Sequence, residues 1–404
     1  MSFSLRSLGP GILFAGAAVG VSHLVQSTRA GADFGFGLIW ALLLINLVKY
    51  PFFLLGTRYT IATGQDLLIG FKKLGDWVLG LYFFLTFLTM FTIQTAVTIV
   101  TAGIASSLFG VGTSLTWAGI ILGLCFVILM LGRFKFLDRL MKIIVLVLTI
   151  STFMAVFLAF KQFDGVIDMT QVVPHSVTGV AFLIAFMGWM PAPLDLTIWQ
   201  SMWTIEKKAA QPHMNGREVL NDFKIGYLAT VIIGLGFLIL GALIMNGNQQ
   251  QFASSAGGFA NDLIQMYTSS LGDWSQFLIG LAALTTMFST TLTTLDASPR
   301  VMQRTAGLLF NAKIKQGYLI WLVILILGTL AIFIGGTEQM GTLIKIATIV
   351  SFLSAPFYAI VLYFLAHSDH IACDERPHKV LSVFSLLCIL MLLGFSFWFL
   401  TTLF

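Results

Sequence analysis

Long apolar runs separated by short polar connections make up most of the chain. Many of these runs reach the roughly 20 residues that cross a bilayer as a helix. The pattern predicts an all-α polytopic membrane protein with one transmembrane domain over residues 1–404. We divide it into a first half-repeat (1–162), a second half-repeat (177–367) and an extra helix (379–404). The eleven predicted spans cover residues 9–29, 36–62, 76–105, 114–132, 136–161, 177–204, 223–246, 270–295, 316–335, 340–367 and 379–403.

Span 6 contains two prolines near its middle, in the stretch FLIAFMGWMPAPLDLTIWQSMW. A proline inside a helix removes a backbone donor and clashes with the preceding turn. We therefore expect the helix to stop near Met190 and to restart at Pro191 and Pro193. Asp195 then lies near the positive N-terminal end of the second half-helix, where a carboxylate is stabilised. The alternative is that the prolines only kink a packed helix.

Span 1, GILFAGAAVGVSHLVQSTRAGADFG, is interrupted by Gly16, Gly20 and the polar pair Ser22-His23. Spans 1 and 6 hold matching places if spans 1–5 and 6–10 are inverted halves. Interrupted helices at corresponding positions indicate the substrate site of a secondary transporter. The predicted substrate-binding residues are Gly20, Val21, Ser22, His23, Trp189, Met190, Ala192 and Asp195.

Composition and charge support a membrane protein and add its orientation. Of the 404 residues, 58% are hydrophobic and 10% are charged, whereas about 25% are charged in soluble domains. Seventeen of the 22 basic residues lie at the N-terminus or in the even-numbered connections. By the positive-inside rule, the N-terminus is cytoplasmic and the C-terminus is outside. We expect an integral protein of a bacterial inner (plasma) membrane that binds no nucleic acid.

Several segments resemble the NRAMP (natural resistance-associated macrophage protein) family of proton-coupled divalent-metal transporters, which share the LeuT-type fold. GPGILFAGAAVGVSHLVQSTRAGADFGFGLIW is similar to the family's first span, TGQDLLIG to the turn after its second span, and Met190–Ala192 to its M-P-H motif. The resemblance runs from Gly9 almost to the end of the chain. It implies a LeuT-type 5+5 inverted repeat, broken helices 1 and 6, and a divalent metal ion as cargo.

The residues that carry the family's chemistry are mostly replaced. Its first-span motif D-P-G-N falls on Gly20 to His23, so a glycine stands where the family has its metal-binding aspartate. The family's methionine is kept as Met190, but its histidine falls on Ala192. The third-span acids fall near Thr92 and Thr95. We therefore expect Met190 and His23 to act as metal ligands only if the cargo is a metal. We also expect that strong proton-coupled metal uptake is lost.

Polar residues inside the spans are costly and are candidates for function. Asp195 is a candidate cation or amine ligand, or else a helix cap. His23 is a candidate ligand or proton acceptor, or else a packed histidine bonded to a carbonyl. Lys49 in span 2 is expected to pair with an acid, or else to snorkel. Span 8 offers hydroxyls that resemble a sodium site, or else bond to their own helix. The candidate coupling residues are Lys49, Ser289, Thr290 and Thr293, together with Thr294.

These observations favour a secondary transporter with no cofactor, whose partners are the bilayer and a small transported solute or ion. The family resemblance favours a divalent cation as cargo. The missing aspartate favours a small organic solute instead, with sodium as a possible coupling ion. No constellation typical of an enzyme and no repeated filter motif typical of a channel is visible. GGFANDLIQMYTSSLG, after span 7, is either a short amphipathic helix over the outer mouth or an ordered loop. The oligomeric state stays open.

Overall fold

The protein is described by a computed structural model that covers residues 10–132, 134–211, 215–246, 252–311, 315–335, 340–372 and 375–402. Every regular element in these ranges is a helix. Within the described residues, seven helices are each long and apolar enough to cross a membrane. The α-helices are α1 (Pro10–Ala18), α2 (Thr28–Phe34), α3 (Ile39–Thr63), α4 (Leu67–Leu74), α5 (Asp76–Phe109), α6 (Ser114–Met130), α7 (Phe134–Gln162), α8 (Val177–Trp189), α9 (Leu196–Ala210), α10 (Gly216–Gly241), α11 (Ala256–Leu271), α12 (Gln276–Leu309), α13 (Gly317–Ile334), α14 (Met340–His367) and α15 (Lys379–Thr401).

Both predicted interruptions are present. In span 1, α1 ends at Ala18, and after a short unwound stretch a π-helical segment (Ser22–Ser27) leads into α2. In span 6, α8 ends at Trp189 and α9 begins at Leu196. The prediction that the second half restarts at the prolines is wrong, because Pro191 and Pro193 both lie in the unwound stretch. Met190 is extended, as expected for a residue that precedes proline.

Three other boundaries differ from the prediction. The segment expected to be a turn after span 2 contains α4, which Asp66 caps through its carboxylate and the N–H of Ile69 at 3.1 Å. Span 8 is Gln276–Leu309 rather than 270–295, because α11 occupies the chain up to Leu271 and the Asp296–Arg300 pair supports a longer helix. Spans 2 and 7 begin at Ile39 and Gly216.

The amphipathic segment after span 7 forms α11, so the helical alternative is confirmed. Its apolar face is fully buried against α5, α7 and α12. The hydroxyls of Tyr267 and Thr152 are 2.6 Å apart, which ties α11 to α7. The residues of the buried face are Phe259, Leu263, Met266 and Tyr267.

Helix α10 holds both halves of span 1 in place. At one end, the N–H of Gly11 donates to the carboxylate of Asp222 at 2.8 Å. Gly11 and Gly226 pack so closely that a Cβ on either would overlap the other helix's backbone. At the other end, a Cβ on Gly31 would lie 2.0 Å from the carbonyl oxygen of Leu238. The unwound stretch of span 1 therefore lies between two segments that both pack tightly against α10.

Candidate functional site

The two breaks face each other across a small cavity of about 50 Å³. Eight of the predicted site residues line it, and they come from spans 1, 6 and 8. Trp199 and the apolar side chains of Ile93, Val97 and Leu196 are also part of its wall. The predicted residues at this cavity are Gly20, Val21, Ser22, Trp189, Ala192, Asp195, Thr290 and Thr294.

Span 8 fills the space that a side chain at position 20 would need. A Cβ built on Gly20 would lie 2.8 Å from the hydroxyl oxygen of Thr290 and 2.9 Å from its methyl group. Real Cβ atoms do not approach so closely. The glycine at the family's aspartate position is therefore matched by a threonine that occupies the same space.

Asp195 lies at the N-terminus of α9 and is 8% exposed. Its side chain makes no helix-cap hydrogen bond, although the N–H groups of Asp195 and Leu196 lie near the carboxylate. Among the described residues its Oδ1 has no hydrogen-bond partner. A buried carboxylate oxygen without a partner is costly. Since Asp195 also lines the cavity, this oxygen is available to a guest there.

Lys49 is fully buried and binds the unwound stretch of span 6. Its ammonium donates to the carbonyl oxygens of Met187 (2.9 Å), Gly188 (2.6 Å) and Ala192 (3.1 Å). An ammonium has three donors, and all three are used. The expected acid partner is replaced by carbonyls, because the broken helix leaves acceptors that no backbone N–H satisfies. The charges of Lys49 and Asp195 nevertheless interact.

His23 and Met190 point towards α10 and do not line the cavity. The Nε2 of His23 lies 3.0 Å from the carbonyl oxygen of Thr230, and its Nδ1 lies 2.7 Å from the Ser22 hydroxyl. The Met190 sulfur and the His23 ring both lie beside Gly234 of α10. Both side chains are completely buried. The arrangement of His23 matches the alternative of a packed histidine bonded to carbonyls.

A polar network that the sequence did not predict joins span 3 to span 8. Gln94 accepts a hydrogen bond from the hydroxyl of Thr294 at 2.7 Å, and Thr294 lines the cavity. The hydroxyls of Thr101 and Thr291 are 2.7 Å apart. Ser289 and Thr293, two of the candidate coupling residues, lie outside the cavity lining. The only sequence signal for this network is one glutamine inside the long apolar span 3.

The threonines at the family's third-span acid positions, and Thr348 in span 10, make bonds within their own helix. Thr92 donates to the carbonyl of Thr89 at 2.9 Å, and Thr95 donates to that of Phe91 at 2.7 Å. Thr348 donates to the carbonyl of Ile344 at 2.7 Å. Such bonds to the same helix are common for hydroxyls in membrane helices. Within the described ranges, no group of three or more His, Cys, Asp or Glu side chains lies together as a metal site would require.

A larger cavity of about 700 Å³ lies beyond the small one, between α2, α8 and the start of α14. Gln26 and Ala185 are among its lining residues, one helical turn from Ser22 and Trp189 of the small cavity. The indole N–H of Trp189 donates to the hydroxyl of Ser351 at 2.8 Å. Trp189 is thus held in the wall of the small cavity. We call the larger space the vestibule (about 700 Å³) and the smaller one the central cavity (about 50 Å³).

Charged pairs lie near the ends of α9 and α12 and at the start of α4. Arg304 of α12 contacts Asp66 at 3.1 Å. Arg300 contacts Asp296 at 2.8 Å and also lies 3.7 Å from Glu206 of α9. Span 6 runs from the vestibule past the central cavity to Glu206, so these pairs lie on the side opposite the vestibule.

Comparisons with known proteins agree with this architecture. The model of the natural resistance-associated macrophage protein-like family matches residues 11–402. An uncharacterized protein of Pasteurella multocida (strain Pm70) is 36% identical over 360 residues, which cover 87% of this chain and 83% of that protein.

Two solved structures share the fold. The manganese transporter of Eremococcus coleocola, in complex with an aromatic bis-isothiourea substituted compound, superposes with a TM-score of 0.74 at 15% identity, covering 96% of this chain and 85% of that one. A nucleobase-cation-symport-1 family transporter in a closed conformation with bromovinylhydantoin bound gives 0.59 at 16% identity, covering 98% and 93%. The predicted all-α fold with broken helices is confirmed.

Proposed function

Since the chain belongs to the natural resistance-associated macrophage protein-like family and is an NRAMP-like membrane transporter, we propose that it carries a small, singly charged cation through the central cavity. Asp195 supplies the countercharge. The observation that carries this proposal is the buried Asp195 Oδ1, which has no partner among the described residues and belongs to a cavity lined by both breaks.

Charge favours a single positive charge over a double one. Lys49 lies close enough for its charge to interact with that of Asp195. Its ammonium therefore repels any cation bound at this carboxylate. Doubling the charge of the guest doubles both its attraction to Asp195 and its repulsion by Lys49, but the cost of removing the ion from water grows with the square of its charge. One carboxylate beside a fixed ammonium thus suits a monocation better.

A divalent metal ion is the second candidate, and family membership favours it. Hard divalent ions prefer several oxygen ligands, with carboxylates prominent among them. The central cavity offers one carboxylate, and Thr290 occupies the space beside Gly20. Met190 and His23 are turned towards α10, so a soft metal would need both side chains to change rotamer. The geometry therefore supports a monocation better than a divalent metal ion.

The test is cation transport by purified protein in liposomes, recorded as electrical currents on a solid-supported membrane. Sodium, manganese and small amines are supplied in turn to the wild type and to Asp195→Asn. The exposed loop acid Asp168 provides the matched control Asp168→Asn. We expect currents that disappear in Asp195→Asn and persist in Asp168→Asn. Wild-type currents in a well-folded Asp195→Asn variant would overturn the proposal, and currents with manganese alone would favour the metal candidate.

The same liposomes test the prediction that proton coupling is lost. Thr92 and Thr95 stand at the family's third-span acid positions and bond only to their own helix in the structure. We expect no acidification of the vesicle interior when cargo is added outside. Acidification in step with added manganese would contradict this prediction.

A further inference from the structure

The three hydroxyl side chains around the central cavity present oxygen acceptors, because their hydrogens are bonded elsewhere. The hydroxyl of Thr290 donates to the carbonyl of Thr286 at 3.2 Å, and that of Thr294 donates to Gln94 at 2.7 Å. The hydroxyl of Ser22 lies 2.7 Å from both the carbonyl of Ala18 and the Nδ1 of His23. Whether its hydrogen goes to Ala18 or to His23, at least one lone pair of the Ser22 oxygen remains to accept a hydrogen bond.

Gln94 fixes the direction of the bond to Thr294. An amide can be turned either way around, but the nitrogen of Gln94 lies 3.3 Å from the carbonyl of Thr291 and 3.2 Å from the hydroxyl of Thr98. A carbonyl oxygen only accepts hydrogen bonds, so the NH₂ group must be on that side. The amide oxygen then faces Thr294 and takes its hydrogen. Thr294 therefore offers lone pairs, and no hydrogen, to the central cavity.

Trp189, which lines the cavity beside these hydroxyls, also has its hydrogen-bond donor occupied. The indole N–H of Trp189 is used by Ser351, which leaves the ring as a surface for the cavity. Aromatic faces attract cations. Three side chains with a hydroxyl, one with a carboxylate and an aromatic ring thus line the same small space.

The size of the central cavity limits the guest. A water-sized group needs about 10–15 Å³ of such a volume, so 50 Å³ accommodates roughly four of them. This is more than a bare sodium ion requires and less than an amino acid with a large side chain requires. The apolar part of the wall, formed by Ile93, Val97 and Leu196, suits a short carbon segment.

From these observations we infer that the cargo is a small primary ammonium ion, of the size of methylammonium. Its three N–H groups donate to Asp195 and to the hydroxyl oxygens of Thr290 and Thr294, the Ser22 oxygen lies beside them, and its carbon end lies against the apolar wall. An anionic group in the cavity would meet an acceptor on each of these four side chains. The inference rests on the proposed function and specifies its substrate class.

The experiment measures binding and uptake of radiolabelled methylammonium by the purified protein. Thr290→Val and Thr294→Val each remove one acceptor with little change in shape. A hydrogen bond to a charged group contributes about 1.5–3 kcal/mol, so we expect each variant to bind methylammonium roughly tenfold more weakly or worse. Thr286→Val is the matched control: its hydroxyl bonds to the carbonyl of Ala282 and does not line the cavity, so affinity should stay at the wild-type value. Unlabelled acetate should not compete.

Thr294→Ser keeps the hydroxyl and should restore affinity, which separates a ligand role from a folding defect. Unchanged methylammonium affinity in folded Thr290→Val and Thr294→Val would overturn the inference. If methylammonium does not bind, but sodium binds and depends on Asp195, the substrate class is wrong and the proposed function stands. Binding of manganese alone would overturn both. If no cation depends on Asp195, the proposed function itself fails.

Discussion

At the scale of single residues, the broken span 6 depends on a charge that comes from another helix. Ending α8 at Trp189 leaves carbonyls without helical partners, and Lys49 of α3 binds three carbonyls of this region. Because the lysine is fully buried, each of its hydrogen bonds to a carbonyl takes the place of a hydrogen bond to water. A buried acceptor left unsatisfied costs about 1–3 kcal/mol. Lys49 is therefore a structural support of the site as well as a charge within it.

Lys49→Met keeps the length of the side chain and removes the ammonium. We expect the variant to lose about 2 kcal/mol or more of stability, because three buried carbonyls lose their donor, and to lose transport. The melting temperature in detergent, followed by size-exclusion chromatography, measures the first effect. Lys345→Met is the matched control, since Lys345 is exposed at the vestibule. A melting temperature of Lys49→Met equal to that of the wild type would show that the carbonyls find other donors.

At the scale of elements, the connection after span 2 combines a helix start with an ion pair. One oxygen of Asp66 caps α4, and the other contacts Arg304 of α12 at 3.1 Å. The first contact forms within a few residues of sequence. The second joins segments that are 238 residues apart. Asp66 thus attaches α4 to the end of the bundle opposite the vestibule.

Two substitutions of Asp66 separate these roles. Asp66→Asn keeps the cap and removes the charge; we expect a loss of at most about 1 kcal/mol, because Arg304 is nearly half exposed. Asp66→Ala also removes the cap and should cost about 1 kcal/mol more. Thermal unfolding of both variants checks the order. Equal stability of the two would show that the cap contributes nothing here.

At the scale of the whole molecule, the two cavities differ in size and in access. The vestibule is about 700 Å³ and its lining includes exposed residues such as Thr178 and Lys345, whereas the central cavity is about 50 Å³ and its lining includes buried residues such as Trp189 and Ala192. An ion pair between Arg300 and Glu206 links α12 to α9 at the opposite end. We therefore expect a reagent in solution to reach the vestibule more readily than the central cavity.

Cysteine accessibility tests this description. In a background without Cys125, Cys373 and Cys388, we expect Thr178→Cys, at an exposed position of the vestibule, to react with a membrane-impermeant maleimide added outside whole cells. Ala192→Cys, at the central cavity, should stay unlabelled because Trp189 and the break enclose it. Labelling of Thr178→Cys only from the inside would show that the predicted cytoplasmic N-terminus is wrong. Rapid labelling of both would show that the central cavity is open in the membrane.

Local chemistry in the sequence is enough to predict the architecture. Twenty-residue apolar runs indicate membrane helices, and Pro191 and Pro193 exclude a continuous span 6 wherever they lie in three dimensions. The motifs around Gly20 and Met190 further predict the family, which the family comparison confirmed. The all-α membrane fold and both breaks therefore follow from the chain itself, whereas the restart at Leu196 and the full length of α12 do not.

Only the tertiary structure decided what each polar side chain does. Lys49, Asp195 and His23 are all ionisable residues within apolar runs, and nothing local distinguishes a ligand from a structural partner. In the fold, Lys49 contacts carbonyls 138 to 143 residues away, and His23 contacts one 207 residues away. Asp195 keeps an oxygen without a partner among the described residues. The role of a buried polar group depends on which acceptors and donors surround it, and distant segments supply those partners.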